Sequence, residues 1–392
     1  MKNKKTALYF LICYLGYTSI YIARLNLSAA SPAMMEAGCF DARQYGALGT
    51  VFAVVYACGR LFNGALGDKL PPYLMLGTGL AGAAVSNALI SLLPPYVGIL
   101  FLWGLNAYAQ SMLWSSVLRL LGQIYPPDKA RHMSSYMVTA VCAGNIIGIL
   151  LCERLVEHFG APSAFLIPAA ISALFSTLIL LLMRHLPDDT AEHTAAPLPA
   201  FSLVKKKEIR TALVPAFLHG LIKDNISHWM LLYLVAVYGV DTGLGALAVI
   251  FVPVCGFVGR LTYPAFFRLC HENEHTVSRI QFAICTAAGA FLLLSHTWIG
   301  DVIALGVLYA AISIVNTTVT SVFPSRFRES GNVASVSGLM DFVSYLGYGV
   351  GSFLIGWAVK AGFGYQPMLI GFAVISALSL AFVWFCYGRK KA

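Results

Sequence analysis

The sequence predicts an all-α membrane protein with twelve transmembrane helices arranged as two six-helix halves. Three observations lead there. Of 392 residues, 58% are apolar and only 11% charged, far from the composition of a soluble globular domain. Long stretches with almost no charge recur, such as "LISLLPPYVGILFLWGLNAYAQSMLWSSV", and about 20 apolar residues suffice to cross a hydrocarbon core of about 30 Å. Finally, motifs in the first half return in the second at an offset near 200 residues.

In chain order the spans are expected near 6–37, 44–66, 72–92, 95–121, 131–156, 162–184, 209–238, 242–266, 277–296, 299–322, 332–359 and 364–387. The leading "MKNKK" precedes an apolar run with no A-x-A-like cleavage site, so it reads as the start of an uncleaved first helix. Between the sixth and seventh spans the composition changes to "HLPDDTAEHTAAPLPAFSLVKKKEIR". This polar segment marks residues 185–208 as a cytoplasmic linker between halves 1–184 and 209–392, with Lys205 to Lys207 as a solvated anchor.

The net charge of +9 does not indicate a nucleic-acid partner, because the basic residues follow topology. With the N-terminus inside, one side collects Lys2, Lys4, Lys5, Lys69, Lys129, Arg131, Lys205, Lys206, Lys207, Arg268, Arg326, Arg328, Arg389, Lys390 and Lys391, against Arg43, Arg154 and Lys360 on the other. Both termini are therefore expected in the cytoplasm. The nine cysteines lie mostly inside spans without paired loop spacing and read as small buried hydrophobes.

The charges inside the spans carry the functional information. Arg24 stands alone between Lys5 and Glu36, about 28 Å along the helix from the former and about 18 Å from the latter. Lys223 lies about 20 Å from Arg210 along the seventh span. A cation at a helix centre costs at least roughly 2.5–3.5 kcal/mol, so each needs a water-filled cavity, a partner or an anionic ligand. "RLNLS" at 24–28 is answered by "KDNIS" at 223–227, so each half delivers one cation to a corresponding place. In carriers built of two repeated halves such places lie near the bilayer midplane, where substrate binds. Two like charges at one cavity suit a ligand with two negative charges, such as a phosphate ester, and Arg offers it a planar fork. Internal salt bridges to Glu36, Asp224 or Asp341 are the structural alternative.

Tyr17 and Tyr21 share the Arg24 face, and Tyr56 and Arg60 form an i,i+4 pair on the second span. Tyr309 and Tyr345 lie within the tenth and eleventh spans. On the seventh, His219 and Lys223 share one face and Asp224 and His228 another, the latter pair being a candidate for carrying a coupling proton or for structural charge pairing. Asp341 in "SGLMDFVSYLG" is open to the same two readings.

After the second span, "GALGDKLPPYL" resembles the G-x-x-x-D-[RK] loop of the major facilitator superfamily, with Gly64, Asp68 and Lys69 at the gating positions. In the second half Pro264 and Arg268 occupy the corresponding places, without the acid. "GYTSIYIARLN", "YACGRLFNGALGD", "WSSVLRLLGQIYPPDKAR", "LIKDNISHWMLLYL", "GVLYAAIS" and "SGLMDFVSYLGYGVGSFLIGW" further resemble the organophosphate:phosphate antiporter family, which includes glycerol-3-phosphate and hexose-6-phosphate carriers. The resemblance covers nearly the whole chain. It implies the major facilitator fold of two pseudo-twofold-related halves and alternating-access exchange of an organophosphate for inorganic phosphate. It places Tyr17, Tyr21 and Arg24 at substrate-facing positions, Tyr56 and Arg60 on the second-helix pattern, Lys223 at the second cation and Tyr309 at the tenth-helix tyrosine. With Tyr345 and Asn145 these are the candidate substrate-binding residues, Arg60 being equally open to a gate or anchor role. Two departures stand out: the family has Arg where this chain has Lys223, and Gly144 occupies the place of a substrate-binding His in glycerol-3-phosphate carriers. His219 is the candidate third phosphate ligand.

The expectation is a monomeric carrier in the cytoplasmic membrane that needs no metal or cofactor and performs no enzymatic reaction, since no nucleophile-base motif, Gly-rich phosphate loop or metal-ligand cluster stands out. Its rivals are a proton-coupled organic-anion symporter, a transporter-like sensor of a sugar phosphate, and a multidrug exporter. The last is the weakest, because the fifth span has Gly144 and Gly148 but no Gly-Pro signature.

Overall fold

The computed structural model describes residues 2–67, 70–186, 200–327 and 332–385, and among these every regular element is helical. Among the described residues, ten helices are long and apolar enough to cross a membrane. The expected fourth and seventh spans are the two others. The fourth is divided at Met112 into α4 (Tyr96–Ser111) and α5 (Leu113–Ile124), each too short alone. The seventh, α9 (Lys207–Tyr238), is long enough but carries Lys223 and Asp224 in its middle.

The helices group into two compact units, residues 1–41 with 54–192 and residues 42–53 with 193–392. In the first, α1 (Lys2–Glu36) packs on α6 (Pro127–Phe159), and α3 (Pro72–Ile90) on α7 (Ser163–Leu182). Its core joins Cys13 and Tyr17 of α1 to Leu76 and Leu80 of α3, Leu113 and Val117 of α5, Met137 of α6 and Ile179 of α7. The Ser176 hydroxyl donates to the Gly77 carbonyl at 2.8 Å and fixes the α3–α7 register.

The second unit repeats that pairing. α9 packs on α14 (Val333–Ala358), and α11 (Glu274–Leu294) on α15 (Gln366–Phe385), as the first helix of each half meets the fifth and the third meets the sixth. α10 (Thr242–Leu269) lies along α12 (Trp298–Thr317). Buried Asp301, in the first turn of α12, accepts hydrogen bonds from Tyr233 and Tyr238 of α9, the latter at 2.7 Å. α12 widens into a π-turn at Thr318–Val322 before the short α13 (Phe323–Ser325), where Pro324 lacks the amide that would continue a regular ladder. A further short helix, α8 (Ala200–Leu203), precedes α9.

α2 (Ala42–Gly67) is divided between the units: its first turns, 42–53, group with the second. Their attachment is backbone to backbone. A Cβ on Gly46 would come within 2.5 Å of the Ser352 carbonyl oxygen, so only glycine permits this approach to α14. The Thr50 hydroxyl donates to the Gly349 carbonyl at 2.8 Å, and the Tyr45 hydroxyl to the His228 carbonyl at 2.7 Å.

Candidate functional site

In the first unit, Arg24 sits partly buried on α1 with its Nε donating to Gln110 Oε1 at 2.9 Å. Its guanidinium lies 4.6 Å from the centre of the Tyr56 ring and 5.3 Å from that of Tyr21, two cation–π contacts. Gln110, Tyr21 and Tyr56 are uncharged, so these three contacts orient the guanidinium.

Gln110 is itself held. Its Nε2 donates to Asn106 Oδ1 at 3.0 Å, and the same oxygen accepts from Asn87 Nδ2 at 3.2 Å. Asn26 Nδ2 donates to Asn87 Oδ1 at 2.7 Å. Four buried amides thus connect α1, α4 and α3 and return to α1 two residues beyond Arg24. In a low-dielectric interior such a network is stable when its polar groups find partners, and it then rigidifies what it holds. Asn106 and Gln110 were not predicted as functional residues. The legible signal was two amides at i,i+4 within an apolar span, where polar side chains are costly.

The other predicted residues of this unit divide. Tyr17 is buried in the core, with its ring 5.4 Å from Trp114 and 5.6 Å from Tyr21. Arg60 lies 6.0 Å from the Tyr56 ring centre on the side chain it shares with Arg24. Asn145 is half-buried on α6. Gly64 falls near the end of α2, while Asp68 and Lys69 lie outside the described residues. Gly144 has a packing reason: a Cβ there would stand 2.6 Å from Tyr21 Cβ and 2.7 Å from the Thr18 carbonyl oxygen. α1 and α6 approach too closely for a histidine, which explains its absence.

In the second unit Lys223 Nζ bonds Asp224 Oδ1 at 2.6 Å, with the two side chains 16% and 29% exposed. Asp224 is thus ion-paired with its chain neighbour Lys223. His228 stacks on Tyr45, with centroids 4.2 Å apart and planes within 4°. The i,i+4 spacing put Asp224 and His228 on one face but could not show which neighbour each would take.

His219, the candidate third phosphate ligand, is enclosed between helices of its own unit. Its ring is fully buried, with Nδ1 3.1 Å from the Pro215 carbonyl oxygen and Nε2 3.0 Å from Asn316 Oδ1. Both nitrogens are occupied inside the unit, so the ring braces α9 against α12 and offers no nitrogen to a phosphate. Tyr309 is buried on α12, and Tyr345 and Asp341 are half-buried on α14.

Comparison with known proteins agrees with this architecture. A "Probable hexose phosphate transport protein" of Chlamydia muridarum is 24% identical over 200 residues, 51% of this chain and 42% of that protein. The "Glycerol-3-phosphate transporter" of Bacillus subtilis is 27% identical over 183 residues, covering 45% of this chain and 41% of that one. The chain thus spans less than half the length of these relatives. The crystal structure of nucleoside transporter NupG superposes with a TM-score of 0.78 at 13% identity, covering 96% of this chain and 97% of that one, a likeness of fold alone. Residues 13–352 match the Major Facilitator Superfamily, and with that extent of agreement the chain belongs to this superfamily of multi-pass membrane transporters.

Proposed function

We propose that the protein is a secondary transporter that exchanges an organophosphate, of the sugar phosphate or glycerol phosphate type, for inorganic phosphate by alternating access. It works as a monomer in the cytoplasmic membrane, with both termini cytoplasmic. Arg24 in the first half and Lys223 in the second are the proposed anion-binding cations. The observation that carries this reading is the setting of Arg24: an intramembrane guanidinium, the group best suited to bind phosphate, oriented by an amide and two aromatic rings. The sugar-phosphate and glycerol-phosphate relatives support the same substrate class.

Proton-coupled organic-anion symport is the second reading, and the Lys223–Asp224 pair favours it. An anion that reaches Lys223 competes with a carboxylate 2.6 Å away, and a proton on Asp224 removes the competitor.

Liposomes loaded with labelled phosphate separate the two. Exchange requires efflux to be negligible into anion-free buffer and to rise steeply when glycerol phosphate or a hexose phosphate is added outside. Rapid efflux at zero membrane potential, unaffected by added substrate, sinks the exchange reading. Accumulation driven by a pH gradient without internal phosphate establishes symport.

A further inference from the structure

Arg260 lies on α10 at the place where the repeat of Gly59-Arg60-Leu61 returns as Gly259-Arg260-Leu261. Among the described residues its buried Nε has no hydrogen-bond partner, and neither has the hydroxyl of Ser313 on α12, a residue 1% exposed. Orphaned donors are rare in native interiors and costly, the more so when the group is charged. A guanidinium within a membrane span adds to that cost.

The two orphaned groups belong to one helix contact. Gly256, one turn before Arg260 on the same face, packs directly on α12: a Cβ there would lie 2.5 Å from Tyr309 Cε1 and 2.9 Å from Ser313 Oγ. Gly259 closes the same seam, with the Ala310 carbonyl oxygen 2.8 Å from where its Cβ would be. This strip of α10 therefore delivers Arg260 to the α12 face that carries Tyr309 and Ser313. Lys223 of α9 interacts electrostatically with both Tyr309 and Arg260. Three helices thus bring two cations, a phenol and a hydroxyl into one neighbourhood, with Asp224 as the opposing acid.

We infer that Arg260, assisted by the Ser313 hydroxyl, is an anion-binding group of the second unit that acts beside Lys223 on a phosphate monoester or inorganic phosphate. The inference rests on the organophosphate reading above and supplies the further phosphate contact that Gly144 and His219 do not. Two cations against one carboxylate leave the neighbourhood with one net positive charge, which a bound phosphate oxygen offsets. The planar fork of Arg260 also restores in this unit the bidentate geometry that Lys223 lacks.

The test uses the full-length protein in detergent, with inorganic phosphate, glycerol phosphate, sulfate and succinate as probes. Thermal midpoint and dissociation constant are both measured. Arg260→Gln removes a half-buried charge whose Nε donor is unmet, so the anion-free midpoint is expected to stay level or rise, whereas a structural ion-pair role would make it fall. Phosphate binding should weaken at least about tenfold, the equivalent of one hydrogen bond to a charged group. Arg260→Lys should recover part of the affinity, and Ser313→Ala should weaken it by a smaller factor. Unchanged phosphate binding in Arg260→Gln, or a lower anion-free midpoint with no anion-specific effect, overturns the inference, as does a wild-type protein stabilised by none of the four anions. If sulfate or succinate stabilises the wild type and phosphate does not, the organophosphate reading fails alone; loss of that stabilisation in Arg260→Gln then still supports the anion-binding role.

Discussion

Replacing Gln110 separates the two things its amide does for Arg24: holding the guanidinium and leaving it charged. In Gln110→Leu the Nε–H loses its acceptor at 2.9 Å, a hydrogen bond to a charged group worth about 1.5–3 kcal/mol. The 3.0 Å bond to Asn106 disappears as well, worth about 0.6 kcal/mol by the average for amide-type bonds in membrane proteins. Partial compensation by the apolar side chain leaves a net destabilisation of about 1–3 kcal/mol, together with weaker anion binding from a guanidinium no longer fixed. Gln110→Glu keeps an acceptor and gains a direct ion pair, which offsets the lost donor to Asn106, so stability should remain near wild type. Its carboxylate, however, opposes an incoming anion about 5 Å away by about 3 kcal/mol per unit charge at an effective dielectric constant of about 20. Affinity should fall more than about a hundredfold. Thermal midpoints from tryptophan fluorescence and dissociation constants for labelled phosphate or glycerol phosphate, measured on the same preparations, read both quantities. Leucine should lower both, and glutamate only the second. If Gln110→Glu binds within about threefold of wild type, or Gln110→Leu matches wild type in both measurements, the amide relay does not position Arg24.

Restoring the family histidine with Gly144→His should destabilise the protein by about 1–3 kcal/mol or more through overpacking against Thr18 and Tyr21, with no gain in phosphate affinity; improved binding in a stable protein would show that α1 and α6 have room to spare. His219→Gln, which retains polar groups to face Pro215 and Asn316, should leave phosphate affinity within about threefold, since an ordinary hydrogen bond is worth about 1 kcal/mol; abolished binding in a folded variant would return His219 to the phosphate site. Asp224→Asn removes the carboxylate beside Lys223 and should strengthen phosphate binding up to roughly tenfold, a gain limited by the partial exposure of the pair. Weaker binding in this variant would mean that Asp224 positions Lys223 for the substrate and does not compete with it.

The sequence by itself determined that this is a helical membrane protein of repeated halves, because the cost of exposing polar groups to lipid forces long apolar runs, and composition records them directly. It also singled out Arg24 and Lys223, since a lone cation in such a run is expensive wherever the helix ends up. What it could not give was the partner of each polar side chain, because an i,i+4 spacing places residues on a face without fixing what that face meets. Asn26 and Asn225 stand at the same place in the repeat, yet Asn26 joins an amide chain ending at Arg24, while Asn225 donates to the carbonyls of Leu221 and Tyr348. Tertiary packing made that difference: α3 and α4 present Asn87, Asn106 and Gln110 around α1, whereas α14 presents backbone to α9. It also decided that Asp224 goes to Lys223, that His219 is consumed between Pro215 and Asn316, and that Gly144 is a point of helix contact. Burial leaves each polar group only the neighbours that packing brings within about 3 Å, and that set belongs to the fold and not to the local sequence.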